Sequence, residues 1–249
     1  MSTVAADSPA RLRADAGSPL HVLAFDEVPY RAAWELQHRL VAGRREGRYG
    51  DTVVLLEHPP VYTLGRRATP SNILLDDAQL AAAGIDVVPV DRGGDVTYHG
   101  PGQLVVYPIF RLAGQRHVVD FVRALEGIAM DALAGLGVEG SRREGLSGVW
   151  VGREKIVAIG VRVAAGGITS HGLALNVAPD LTHFGGIIPC GLATEGVTSL
   201  QALGHTHPMQ RVRQALRKAL EHAFAVPLID QHEEGQALLE SVMTEAQSR

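Results

Sequence analysis

One cysteine and one lysine are the residues whose types best suit covalent chemistry. Cys190 is the only cysteine in the 249 residues, so it cannot form a disulfide within the chain. It either packs as a small apolar side chain or reacts as a thiol. Pro189 and Gly191 favour the second reading, because they fix the backbone beside the sulfur and leave an N–H that a substrate carbonyl can approach. Lys155 heads an otherwise apolar predicted strand, where a charge is costly unless it has a function.

A glycine-rich segment at residues 91–103 is the second feature that suggests a site. It holds four glycines, an arginine, a histidine and two hydroxyl-bearing residues between two predicted strands. Glycine lets the main chain approach a ligand closely, at an entropic cost that a purely structural loop can avoid. The segment does not fit a dinucleotide fingerprint, which opens a helix, and the sequence contains no Gly-Lys-Ser or Gly-Lys-Thr of a phosphate-binding loop.

The composition predicts a cytoplasmic protein with one compact catalytic domain. The apolar runs are far shorter than the ~20 residues that span a bilayer. Residues 1–19 lack the apolar stretch of a secretory signal, so we expect a flexible arm there and a single domain over residues 20–249. A lone thiol suits a reducing compartment. The net charge of −4 predicts no general affinity for nucleic acid.

Arginine clusters stand out against that slightly acidic balance. They are Arg44, Arg45 and Arg48, then Arg66 and Arg67, then Arg142 and Arg143. Such clusters are usually solvated faces, and a local docking surface for an acidic partner is the alternative. The first and third clusters are the candidates for docking.

The spacing of apolar residues predicts the elements that must position these groups. Strands are expected at residues 21–25, 52–56, 61–64, 85–90, 103–110, 150–151, 156–163 and 168–177. Helices are expected at residues 29–42, 76–83, 118–136, 208–223 and 232–247, with a further short helix starting at Thr198. Strands that come in hairpins and small groups, with helices between them, are typical of an α+β fold with a mixed or antiparallel sheet flanked by helices.

Several motifs, in order along the chain, resemble the lipoyl(octanoyl) transferases of the biotin/lipoate protein ligase superfamily. One runs from Arg92 to Gln103 and reads Arg-Gly-Gly-Asp-Val-Thr-Tyr-His-Gly-Pro-Gly-Gln. The others include Glu57-His-Pro-Pro-Val-Tyr-Thr-Leu-Gly-Arg66, Gly152-Arg-Glu-Lys-Ile-Val-Ala-Ile-Gly160, His171-Gly-Leu-Ala-Leu-Asn176 and Ile188-Pro-Cys-Gly191. The resemblance covers roughly residues 21–224 and implies the superfamily's α+β fold.

The resemblance also implies a reaction and its residues. Members transfer an octanoyl group from octanoyl-acyl carrier protein to a lysine of lipoyl domains of 2-oxoacid dehydrogenases or of glycine cleavage H protein, the first step of endogenous protein lipoylation. Cys190 is then the thioester-forming nucleophile and Lys155 its partner. The implied substrate-binding residues are Arg92, Gly93, Gly94, Asp95, Val96, Thr97, Tyr98, His99, Ala158, Ile159, Gly160, Gly172, Leu173 and Ala174. No cofactor, metal, nucleic acid or membrane is expected to take part.

Two other functions remain as alternatives. An ATP-dependent lipoate or biotin ligase would activate a free acid and would not need a nucleophilic cysteine. A non-enzymatic carrier-binding module would not need both Cys190 and Lys155. We interpret His99 and His171 as positioning or substrate-contact residues, with general base as the alternative. His205 and His207 are only two candidate metal ligands, so we expect them to be solvated.

Overall fold

The computed structural model describes residues 9–114, 118–188 and 196–247. Within these ranges the strands are β1 (Leu20–Glu27), β2 (Thr52–Glu57), β3 (Val61–Leu64), β4 (Asp86–Pro89), β5 (Val96–His99), β6 (Gln103–Ile109), β7 (Ser141–Arg143), β8 (Leu146–Val151), β9 (Glu154–Ala164), β10 (Ile168–Asn176), β11 (Gly196–Val197) and β12 (Leu228–Asp230). The helices are α1 (Tyr30–Glu46), α2 (Asp77–Ala83), α3 (Val118–Ala134), α4 (Met209–Phe224) and α5 (His232–Gln247).

The strands form two sheets. The main sheet has the order β12-β1-β2-β6-β10-β9-β8-β7, and β11 pairs with β9 outside this order. β1 is parallel to both β12 and β2, and β11 is parallel to β9, whereas β6, β10, β9 and β8 pair antiparallel. The smaller sheet has the order β4-β3-β5. A mixed sheet flanked by helices confirms the predicted α+β class.

Helices cover both faces of the main sheet. Alternation along β2 shows the two layers, because Val53 packs in the same apolar cluster as α3 and α4, whereas Val54 packs in the cluster of α1 and α5. Both valines are fully buried. Of the helices that the structure describes, none is long and apolar enough to cross a membrane.

The ends of α1 and α2 follow local sequence signals. Gly47 ends α1 in the left-handed region at φ 79°, which glycine adopts without strain. The sequence predicts that α1 ends at about residue 42, before Arg44 and Arg45. The helix continues to Glu46 because the Arg44 side chain is buried and paired with Asp51. Asp76 caps α2 by accepting the N–H of Gln79, and the Gln79 side chain bonds back to the Asp76 N–H.

Two local predictions differ from the structure. The glycine-rich segment contains the strand β5, which the density of glycines concealed. No helix begins at Thr198, because the chain makes a single hydrogen-bonded turn, in which Ser199 Oγ accepts the N–H of Ala202, and then reaches Gly204 at φ 83°.

The segment 9–19 also differs from the flexible arm that we expected. Arg13 has 1% of its surface exposed, and its Nε donates to Asp51 at 2.6 Å. Its guanidinium lies 5.6 Å from the Phe110 ring centre and 5.7 Å from that of Phe224. A buried ion pair between residues 38 positions apart leaves no local sequence signal, and it attaches this segment to the domain.

Candidate active site

A cavity of about 330 Å³ opens where the glycine-rich segment meets the main sheet. Its walls come from β5, β6, β9 and β10, from Tyr30 at the start of α1, and from the turn at residues 145–147. Every predicted substrate-binding residue except Tyr98 lines it, and so does Lys155. The fold therefore brings three separate sequence motifs to one cavity.

Tyr98 is the predicted substrate-binding residue that the structure places elsewhere. Its ring packs edge-on against Tyr62 and Phe184 and stacks on His183 at 5.0 Å. Side chains alternate along a strand, so a residue beside two cavity-lining neighbours can face away from the cavity. Tyr98 supports the small sheet from its interior.

Lys155 stands at the start of the part of β9 that lines the cavity, and Gly160 is the last lining residue of that strand. Its Nζ lies 4.7 Å from the centre of the Trp150 ring. Burial lowers the pKa of the ammonium from 10.5 to about 8, and the Glu126 carboxylate opposes this shift. A lysine in this state can both donate and accept a proton near neutral pH.

A buried carboxylate on α3 supports the surroundings of Lys155. Glu126 is fully buried, and its Oε1 accepts the main-chain N–H of Gly148 at 3.1 Å. Its Oε2 accepts from Arg123 at 2.7 Å and from Arg142 at 3.0 Å. Gly148 has φ 108°, and a Cβ there would approach the Lys155 Cε to 3.4 Å. No sequence motif marks Glu126, since its position on the apolar face of a helix predicts an aliphatic residue.

A chain of side-chain hydrogen bonds joins His99 to the main chain beside Lys155. His99 Nδ1 lies 2.6 Å from Gln103 Oε1, so this ring nitrogen is the donor. Gln103 Nε2 donates to Asn176 Oδ1 at 2.8 Å, and Asn176 Nδ2 donates to Thr198 O at 2.9 Å. The Thr198 N–H donates to Lys155 O at 3.0 Å. Asn176 thus bonds the main chain, as the sequence indicated.

The histidines around the cavity are neutral. Burial lowers the pKa of His99 to about 3 and that of His58 to about 4, and it also lowers the pKa of His171. A base this weak accepts a proton poorly at neutral pH. The positioning interpretation of His99 is therefore favoured over general base.

His171 has a strained backbone within β10. Its φ of 57° lies in the left-handed region, which is unusual for a strand residue other than glycine. Its N–H donates to Gln37 Oε1 at 2.7 Å. Its Nε2 lies 2.7 Å from Asp91 Oδ1, and Arg162 pairs with the other carboxylate oxygen at 2.7 Å. The hydrogen bond from His171 is the main cause that lowers the pKa of Asp91 to about 2. These partners fix the ring at the cavity wall.

Tyr30 and Tyr107 form a neutral polar part of the wall, and His58 supports Tyr107. His58 Nδ1 lies 2.7 Å from Val28 O, so this nitrogen carries the proton and Nε2 accepts from the Tyr107 hydroxyl at 2.6 Å. The Tyr30 ring stacks on His99 at 5.9 Å. Burial raises the pKa of Tyr30 to about 12, so its hydroxyl stays protonated. We had not identified Tyr30 or Tyr107, because single tyrosines in predicted helices and strands usually belong to the core.

Glycines let neighbouring segments pack closely at one wall of the cavity. Gly160 and Gly172 face each other across β9 and β10. A Cβ on Gly160 would lie 3.0 Å from Gly93 O and 3.2 Å from Arg92 Cδ, and a Cβ on Gly172 would collide with Val106 O. The two glycines therefore hold the glycine-rich segment and β6 tightly against the strands that line the cavity.

Arg92 holds the glycine-rich segment in place. Its Nη2 donates to both the carbonyl and the hydroxyl oxygen of Thr63 at 2.8 Å, and its Nη1 donates to Gly93 O at 3.1 Å. The guanidinium is buried, and burial lowers its pKa. The buried Arg92 guanidinium at the cavity wall therefore donates its hydrogen bonds to uncharged oxygens.

The two arginine clusters predicted for docking are largely used within the fold. Arg44 pairs with Asp51 at 2.7 Å and also with Asp15, which removes it from the surface. Arg142 is bound to Glu126, and the Arg143 guanidinium lies 5.0 Å from the Trp150 ring centre. Among the described residues, no group of three or more His, Cys, Asp or Glu side chains is arranged to hold a metal.

Cys190 lies in the segment 189–195, outside the described residues, so the structure does not test its predicted role. The chain on both sides of this segment borders the cavity, through Phe184 before it and Val197 after it. Val197 is also the ladder partner of Lys155.

Comparison with known proteins identifies the family. The model of the lipoyl protein ligase A/B catalytic domain matches residues 29–221. The chain belongs to this family. An octanoyltransferase of the family from Chloroflexus aggregans is 52% identical over 205 residues, which is 81% of this chain and 93% of the relative. An octanoyltransferase from Rubrobacter xylanophilus is 48% identical over 202 residues, covering 80% of this chain and 91% of the relative.

A solved structure supports the fold assignment. The structure of a bi-partite lipoate protein ligase from Thermoplasma acidophilum superposes with a TM-score of 0.72 at 17% identity, covering 90% of this chain and 91% of the other. At this identity the likeness shows the fold alone. It confirms the lipoate ligase-like fold that the sequence motifs implied.

Proposed function

We propose that this protein is an octanoyltransferase that works through a thioester on Cys190. It moves an octanoyl group from octanoyl-acyl carrier protein to a lysine of a lipoyl domain, as the first step of protein lipoylation. Relatives that are about half identical and named octanoyltransferase support the reaction. The desolvated Lys155 at the cavity is the observation that carries the mechanism, because it can serve two opposite proton transfers.

In the first half-reaction the Cys190 thiolate attacks the thioester carbonyl of the donor. A new carbon–sulfur bond forms, the bond to the carrier's thiol breaks, and the Lys155 ammonium donates its proton to that departing thiolate. The lysine cation also favours the thiolate form of a nearby cysteine. One thioester replaces another, so this step is close to thermoneutral.

In the second half-reaction the neutral amine of the acceptor lysine attacks the acyl-cysteine. A carbon–nitrogen bond forms, the Cys190 thiolate leaves, and the amine proton passes to Lys155, which is neutral after the first step. Amides are more stable than thioesters, so the overall transfer proceeds without ATP. The same chemistry explains why the sequence needs no phosphate-binding loop.

The cavity supplies the acyl-binding site in this proposal. Its apolar lining residues Ile159, Leu173 and Ala174 accept the acyl chain, and the neutral wall around Tyr30 and His99 avoids a buried charge beside it. Arg92 closes one side of the cavity, where its side chain donates hydrogen bonds to the main-chain oxygens of Thr63 and Gly93. A cytoplasmic location, which carrier-protein substrates require, belongs to the same proposal.

Intact mass spectrometry tests the covalent step. Mixing with octanoyl-acyl carrier protein, without acceptor or ATP, should add one octanoyl group, and peptide mapping should place it on Cys190. Cys190→Ser should lose the adduct and octanoyl transfer while keeping its fold by circular dichroism. Activity that requires ATP and free octanoic acid would instead identify a ligase.

A further inference from the structure

Exposed apolar and basic side chains lie near the cavity wall, since Arg67 lines the cavity and Asn72 Nδ2 donates to the lining residue Asp95 at 2.7 Å. Leu74 is 54% exposed and Ile188 is 43% exposed, whereas most large apolar side chains of this chain are buried. Arg66 and Arg67 are exposed on the same rim segment, and Arg67 also lines the cavity. We call Arg66, Arg67, Leu74 and Ile188 the rim patch.

Hydrogen bonds of the main chain hold the rim patch together. The Arg67 N–H donates to Gly94 O at 3.1 Å, which fixes the two arginines over the glycine-rich segment. Ile73 and Ile187 form an antiparallel bridge, in which Leu74 lies opposite Gly186 and Ile188 lies opposite Asn72. Leu74 and Ile188 are therefore on the same face of the bridge, at diagonal positions. The patch is therefore a built surface, held in place beside the cavity mouth.

The charges of the rim patch favour one of the two protein substrates, the acyl donor, over the acceptor domain. Neither Arg66 nor Arg67 forms an ion pair with any residue that the structure describes, so both guanidinium groups are available to a partner. Asp76 and Asp77 are exposed beyond Leu74, so the basic part is confined to the Arg66 side. An acceptor domain presents a lysine cation, which two arginines repel. A carrier protein presents its thioester on a phosphate-bearing arm, which they attract.

We infer that the rim patch docks the acyl donor, with Leu74 and Ile188 against the surface of the carrier protein and the two arginines against anionic groups of the carrier and its arm. This inference rests on the proposed function. It adds the surface through which the donor, and not the acceptor, approaches the cavity.

Acylation kinetics with three octanoyl thioesters test the inference. Arg66→Glu should raise the KM for octanoyl-carrier protein several-fold at low salt, and Leu74→Ser should raise it by a similar factor. Neither should change the KM for octanoyl-pantetheine, which has no phosphate and no protein, by more than about twofold. Octanoyl-coenzyme A, which has phosphate but no protein, should respond to the arginine variant and not to Leu74→Ser.

A matched control reverses the same amount of charge on α4, across the main sheet from α1. Arg211→Glu should leave all three KM values unchanged. An unchanged KM for the carrier protein in both rim variants would overturn the inference, and so would an equal rise for octanoyl-pantetheine or a rise for the acceptor domain alone. If the unmodified protein forms no octanoyl adduct with any donor, the proposed function itself fails.

Discussion

Glu126 Oε1 accepts the main-chain N–H of Gly148 at 3.1 Å, and this hydrogen bond joins helix α3 to strand β8. The same carboxylate is the negative charge that raises the pKa of Lys155 against the effect of burial. Replacement of this carboxylate by an amide should therefore change the proton transfer of Lys155. Gln can still accept the Gly148 N–H, but it carries no charge and its Nε2 cannot accept from Arg123 and Arg142.

We predict that Glu126→Gln moves the pH dependence of octanoyl transfer to lower pH. Loss of the carboxylate removes a cause that raises the pKa of Lys155, so the pKa falls below about 8 and the ammonium is lost at lower pH. The pH profile of single-turnover acylation measures the shift. An unshifted profile with a lower rate would mean that Glu126 acts only through the position of Gly148.

Lys155→Met should abolish transfer and stabilise the fold. Burial disfavours the ammonium in the folded state, so its folded pKa of about 8 lies below the unfolded value of 10.5. The folded state therefore releases a proton in this range, and stability rises as pH increases from about 8 toward 10.5; below about 8 the folded protein carries the full cost of the cation. Met should relieve roughly 1–3 kcal/mol at pH 7. Urea unfolding at pH 7 and pH 10 should show the gain at pH 7 shrinking at pH 10.

Most elements could be predicted from the sequence, because apolar residues at period 2 or 3.6 mark the faces that pack. Val53 and Val54 illustrate this, since their run predicts a strand buried on both sides. The parallel pairing of β1 with β12 could not be predicted, since no periodicity encodes which strands meet across 200 residues of chain. The motifs predicted a shared cavity, but Tyr30 reaches this cavity, and Glu126 reaches Gly148, only through the tertiary fold.

His99→Gln should weaken substrate binding without changing the pH dependence. Burial holds the pKa of His99 at about 3, so the ring is neutral throughout the working range and adds no titration above pH 5. We expect the KM for octanoyl-carrier protein to rise several-fold, with a smaller change in kcat. If the transfer rate of the parent protein changes between pH 5 and 8 and this change is absent in the variant, His99 is a proton-transfer residue instead.

Gly160→Ala should distort the acyl site. The added Cβ would lie 3.0 Å from Gly93 O and 3.2 Å from Arg92 Cδ, tighter than a relaxed contact, so the glycine-rich segment would have to move at the cavity wall. We expect acylation by octanoyl donors to fall about tenfold or more, and by butanoyl donors to fall less. Gly17→Ala is the matched control, since a Cβ there meets nothing within 4 Å. Equal losses with both donors would place the defect outside the acyl chain's path.

The parallel pairing of β12 with β1 has a consequence for synthesis and truncation. Residues 20–22 of β1 have their outer main-chain partners far along the chain, at residues 228–230, and Gly235 of α5 packs on Leu23. Until residues 228–235 have emerged from the ribosome, β1 is an open sheet edge with an apolar face. Open edges pair with other chains, so a protein cut before Leu228 should associate through β1 into soluble oligomers or aggregates while its cavity residues are all still present.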